Sequence, residues 1–234
     1  MEKKVQPPQI TNLSANYVEV RKLLDLSWQV GGRSPAHKQE IDVLLKSAIV
    51  LLVACWEAFL EDLAKYAFEY ILTNATTPDA FPASFLGQVS RDLKKESDDR
   101  RLWRLSGEGW KEVLREHKDE VLNRHVGNFN TPKPEQTDKM FEAMLGMKRL
   151  SDCWTWPGCT PSLSREKLKG LVELRGSIAH RVSASQKVQR NTVSRHLDFV
   201  LRLAVHSNNH VEQFVRRQAG GPGWQDYVHK QRNG

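Results

Sequence analysis

Ala48-Ile49-Val50-Leu51-Leu52-Val53-Ala54-Cys55 is eight consecutive apolar residues, and how it is read decides the fold. It lies inside a segment from about Lys38 to Leu72 with no proline or glycine, which predicts one long helix. A helix that is apolar all round belongs in the centre of a protein. The run is too short by itself to span a bilayer, which takes about 20 apolar residues. The expectation is therefore a soluble all-α protein built around this helix.

Toward the N-terminus, Gly31-Gly32-Arg33-Ser34-Pro35 separates it from an earlier helix. There Leu13, Tyr17, Val20, Leu24 and Trp28 recur at helical spacing. Residues 1–12, polar and proline-containing, read as a flexible arm. Their start has no apolar stretch of the kind a secretory signal carries. The expected setting is a reducing cytoplasm, with Cys55, Cys153 and Cys159 as free thiols.

Toward the C-terminus, Asn74 to Pro82 reads as a turn and residues 83–105 as one highly charged helix. That helix has two readings: a solvated face laced with ion pairs, or a nucleic-acid ridge with Trp103 available for stacking. Helices are expected over Glu108–His125 and Glu135–Leu145, and an irregular Trp- and Cys-containing loop over 151–163. Ser164 reads as the N-cap of the next helix. A last long helix covers about Lys187 to Gln218, and 220–234 reads as a flexible tail. The whole is one helical domain over 13–219, a bundle of about five to seven helices with two long core helices. Neither a period-2 strand pattern nor an internal repeat is visible.

The 234 residues carry a formal charge of +7, with 39% hydrophobic and 27% charged residues. That composition is globular, and the basic excess favours anionic partners, nucleic acid first. Five residues separate Cys153 from Cys159, which is not the usual spacing of zinc ligands. His206 and His210 lack the intervening Glu of zinc enzymes, and no glycine-rich phosphate loop has the right context. No metal or cofactor is expected.

Two charged residues sit where apolar ones belong. Glu57 follows Trp56 in the most hydrophobic helix, so it is paired, protonated or at a cleft rim, unless the helix is already leaving the core there. Arg175 projects into the apolar stripe of Leu168, Leu171, Val172, Ile178, Ala179 and Val182. A guanidinium keeps its charge and needs an acidic or phosphate partner. His180, five residues on, is about 140° away around an ideal helix. One straight helix does not aim both side chains at one point; two copies packed antiparallel about a two-fold axis could, and so could a local deviation of the helix at Gly176.

The segment Glu173-Leu174-Arg175-Gly176-Ser177-Ile178-Ala179-His180 resembles the Arg-x4-His signature of the HEPN superfamily. Val53 to Leu63 resembles the early core helix of its RiboL-PSP-HEPN group, and Phe129-Asn130-Thr131-Pro132-Lys133-Pro134-Glu135 its mid-chain loop and following helix. The resemblance covers roughly residues 40 to 215. It implies an all-α bundle that dimerises through the Arg-x4-His helices and, in many members, cleaves RNA without metal, often as a toxin or in antiphage defence. The implied catalytic pair is Arg175 and His180, with Glu57 and Ser177 in support. The implied partners are RNA, a second copy of the chain, and an antitoxin or defence-system protein, with no membrane. Two positions depart from the family pattern: Gly176 replaces the usual Asn or other polar residue, and Arg181 a frequent Gly. They carry the alternative, a HEPN domain that binds RNA, nucleotide or protein without cutting. Without the family, the residues alone also fit a helical interaction protein whose Arg175 pairs with Glu57 or Glu173.

Overall fold

In the computed structural model, residues 7–30, 34–95, 99–126, 132–181 and 187–224 are described. They form seven α-helices and no strand: α1 (Pro8–Gln29), α2 (Pro35–Asn74), α3 (Ala83–Lys95), α4 (Gly109–Val126), α5 (Pro134–Leu145), α6 (Pro161–Arg181) and α7 (Arg190–Ala219). The all-α expectation, with long core helices, is borne out.

The local chemistry accounts for the boundaries. Ser34 accepts a hydrogen bond from the His37 N–H at 3.3 Å, and Pro35 fills the first helical position of α2. Gly146, at φ 75°, closes α5 in the left-handed conformation. The 40-residue α2 is the hub, packed against α1 and α7 and then α6, α5 and α4. Its Trp56 is fully buried, stacked on Phe59 at 5.7 Å and meeting the edge of Trp154 at 5.9 Å.

The core helix is not covered on every side. Ala54 and Ala58 are exposed, and Val50, Leu51, Glu57 and Glu61 are half-buried. By length and composition α2 is also apolar enough to cross a membrane, contrary to the reading of its eight-residue run alone; half of its most apolar window is buried inside the bundle.

Other boundaries differ from the sequence reading. The helix expected from Leu13 begins at Pro8, because Gln9 and Ile10 are buried and extend its inward face. The arm expected over 1–12 is therefore helical from residue 8. The charged helix expected over 83–105 is α3 plus a 3₁₀ segment, Asp99–Leu105. Ser164 is not the N-cap of α6. Proline starts that helix at 161, and the Leu163 N–H donates to Thr160 Oγ1 at 3.3 Å. The Ser164 hydroxyl is buried and donates to the Trp154 carbonyl at 2.9 Å.

The tail expected from 220 is anchored as far as Trp224. Trp224 is buried, and its indole N–H donates to Asn208 Oδ1 at 3.2 Å. Gln9 Nε2 donates to the same oxygen at 3.2 Å. Tyr70 adds a clasp, donating its hydroxyl to the Gly220 carbonyl at 2.6 Å and accepting from the Gly223 N–H at 3.1 Å.

Candidate functional site

Helix α6 has two halves. Its N-terminal half is tied down: Ser164 is buried under Trp154, Arg165 Nε donates to Ser151 Oγ at 2.8 Å, and Arg165 also bonds Asp152. Trp154 in turn donates its indole N–H to Ser207 of α7 at 2.8 Å. Leu168, Leu171 and Val172 are buried, while Leu174 to Ser177 are half-buried and Ala179 is exposed. The helix begins to leave the core at the Arg-x4-His segment, of whose described side chains only Ile178 is buried.

Arg175 lies at that rim, with its Nε shut away from solvent. Glu57 of α2 is close enough to feel its charge. Burial pushes the Glu57 carboxyl above the usual carboxylate range, repulsion from Glu61 adds to this, and Arg175 pulls back. Arg175 and Glu57, on different helices and more than a hundred positions apart in sequence, thus lie within electrostatic reach of each other. Glu173, the other acidic partner considered for Arg175, faces Lys133 instead, at 3.9 Å.

Ser177 uses its hydroxyl proton on the Leu174 carbonyl at 2.8 Å, a bond within the helix. That leaves it only acceptor lone pairs for any substrate. The backbone of His180 is the penultimate residue of α6; its side chain and that of Arg181 lie outside the described residues. So do Phe129, Asn130 and Thr131 of the mid-chain stretch, as well as Val182 of the apolar stripe.

Gly176 faces open space, and a Cβ built there meets nothing within 4 Å. A glycine in a helix interior costs about 0.5–1 kcal/mol relative to alanine. Gly176→Ala is expected to stabilise the fold by that amount in urea unfolding; a loss of stability would show that this face is covered.

The raised carboxyl of Glu57 gives a second expectation. Below the ordinary carboxylate pKa the residue is protonated folded or unfolded, and Glu57→Gln changes little. As pH rises through the folded-state value, ionisation takes stability from the native chain but not from the variant. Glu57→Gln should therefore melt higher than the native chain at neutral pH, with the gap closing by about pH 4. A gap of opposite sign would mean that the Arg175 attraction outweighs burial.

Elsewhere, Cys159 is buried with Sγ 3.2 Å from Ser164 Oγ, and burial raises the Cys153 thiol strongly. His206 stacks on Trp156 at 5.4 Å. The described residues best grouped for a cation are Asp92 of α3 with His117 and Glu120 of α4, whose ligand atoms lie within 4.8 Å of one another. Arg175 of α6 is not among them. Sequence reasoning did not single out that trio, because its members are 25 and three residues apart and meet only through helix packing.

No curated protein and no solved structure matches the chain. The family model for RiboL-PSP-HEPN does, over residues 15–213. The resemblance read over roughly 40–215 is borne out and reaches into α1. A HEPN-type domain points to a nuclease or RNA-related role. By this match across α1 to α7, with the Arg-x4-His segment at the end of α6, the chain belongs to the RiboL-PSP-HEPN family.

Proposed function

We propose that the chain is a metal-independent endoribonuclease that acts as a homodimer, with Arg175 and His180 as its catalytic pair. The observation that carries this is the family match together with the Arg-x4-His segment lying at the end of α6, where that helix leaves the core. A neutral histidine takes the proton of a ribose 2′-OH; a charged one returns a proton to the leaving oxygen. The arginine holds the scissile phosphate and the charge that builds on it. The oxygen of the 2′-OH bonds to phosphorus, the 5′-oxygen leaves with a proton, and the product is a 2′,3′-cyclic phosphate.

Two α6 helices about a two-fold axis would supply two arginines and two histidines to one cleft. Exposed Ala54 and Ala58 beside Glu57, and Ala179 on α6, are small enough for a second copy to approach closely. A toxin or defence role, an antitoxin-type partner and a cytoplasmic location belong to the same proposal and rest on the family alone.

The deciding experiment incubates the purified chain with tRNA, mRNA and rRNA in EDTA and examines the product ends. Cleavage leaving cyclic phosphates supports the proposal, whereas cleavage that requires magnesium defeats it. Gly176 and Arg181, where the family pattern is broken, favour a second reading, a HEPN domain that binds without cutting. Binding of RNA with no product from any of the three would establish that reading instead.

A further inference from the structure

Between α1, the first turns of α2 and the start of α7 lies an open cavity of about 360 Å³, lined by Trp28, Lys38, Lys187 and Arg190 among others. Trp28 is 61% exposed, an unusual position for so large an apolar ring. It is nonetheless held. The Arg190 guanidinium sits 4.6 Å from the ring centroid. Arg190 is fixed in turn by Ser27, donating from Nε to Oγ at 3.2 Å and from Nη2 to the backbone carbonyl. One face of the indole is thus braced by a fixed cation, and the ring still presents most of its surface to solvent. Buried Val188 pins the neighbouring chain, and exposed Lys187 beside it is part of the lining. Among the described residues neither Lys38 nor Lys187 has an ion-pair partner, while Asp42, also on the lining, is held by Lys46 at 2.6 Å.

A braced aromatic ring beside uncommitted lysines is the combination that binds single-stranded nucleic acid. The ring takes an unstacked base, and the ammonium groups take backbone phosphates. The cavity is also near enough to α6 to serve it: the chain from His180 to Lys187 reaches at most about 25 Å. We propose that this cavity is a substrate subsite for single-stranded RNA, in which Trp28 stacks one base while Lys38 and Lys187 hold the adjoining phosphates. The proposal rests on the ribonuclease reading for its ligand, but its residues are separate from Arg175 and His180. A duplex keeps its bases stacked and gains nothing from Trp28.

The test measures binding of a short, unstructured, dye-labelled RNA by anisotropy, using the full chain carrying His180→Ala so that nothing is cut. Trp28→Ala should weaken binding about 5- to 140-fold, the fold-change equivalent of one stacked base. Trp28→Phe should restore most of it. Trp103→Ala is the control: that ring is 78% exposed but has no ring or cation partner among the described residues, and its loss should leave binding unchanged. Lys38→Ala with Lys187→Ala should flatten the slope of log affinity against log salt by about 1.4, or about 0.7 per phosphate released. If Trp28→Ala melts early, that slope decides alone. Unchanged binding in Trp28→Ala, a loss that Trp28→Phe does not rescue, or equal binding of duplex RNA would overturn the subsite. A chain with His180 intact that binds RNA in this Trp28-dependent way without cutting it would overturn the nuclease reading and leave the subsite standing. Absence of RNA binding at low salt would overturn both.

Discussion

Replacing His180 with alanine is expected to lower metal-free RNA cleavage by about 10²- to 10⁴-fold, the usual worth of a positioned acid–base group. The fold should be unaffected. His180 is the next-to-last residue of α6, beyond Ile178, the last described side chain of that helix to be buried, and beside exposed Ala179. Under the proposed mechanism its removal is expected to cost proton transfer with little effect on packing. Far-ultraviolet dichroism and thermal melting of the variant should match the native chain while the single-turnover rate falls. Unchanged cleavage would place the chemistry elsewhere in the molecule. Arg175→Ala is a less clean probe, because Arg175 is half-buried beside Glu57 and its loss leaves that carboxylate without its nearby positive charge.

The largest loss of stability is expected from Trp154→Ala. Trp154 has 0% exposure, meets Trp56 edge-on and donates to Ser207 of α7 at 2.8 Å, while its carbonyl receives the buried Ser164 hydroxyl. It thereby links the central helix, the last helix and the fixed half of α6. Truncation leaves a large cavity and an orphaned buried hydroxyl. The expected cost is about 3–5 kcal/mol for the ring, with the lost hydrogen bond included in the upper part of that range. Trp154→Phe keeps most of the ring and should lose only about 1–2 kcal/mol. Urea unfolding monitored by dichroism measures both. Equal losses would mean that the indole N–H, not the ring volume, carries the stabilisation.

Periodicity made the helices legible. Leu13, Val20 and Leu24 are buried where the spacing placed them, and the run from Ala48 to Cys55 does lie in the hub helix. What periodicity could not show was how far a helix extends once its polar residues are buried too. Gln9 is an example: its amide finds Asn208 almost two hundred residues away, and no local pattern announces such a partner. Ser164 misled for a related reason. A serine before an apolar stripe looks like a cap, but Pro161 starts the helix earlier and frees the hydroxyl for Trp154. Of the site, Arg175 was conspicuous as a charge inside an apolar stripe, and Glu57 as a carboxylate in an apolar helix. That they lie close together is a fact of how α2 and α6 pack, which sequence spacing does not encode. The Trp28 platform was read only as one more position on an inward helical face, and nothing in the α1 pattern reveals that Arg190 holds it at the surface.

Asn208 sets a timetable as well as a contact. Its side-chain oxygen receives Gln9 from one end of the described chain and Trp224 from the other. A ribosome makes Gln9 199 residues before Asn208 and Trp224 16 residues after it, when the described helices have all been made. Until Trp224 has been made that oxygen lacks one of its two donors, and the groove that Trp224 fills beside Tyr66 and Tyr70 stands open. This stitch in the bundle is made only after Trp224 clears the exit tunnel, so a chain stopped within α7 goes without it.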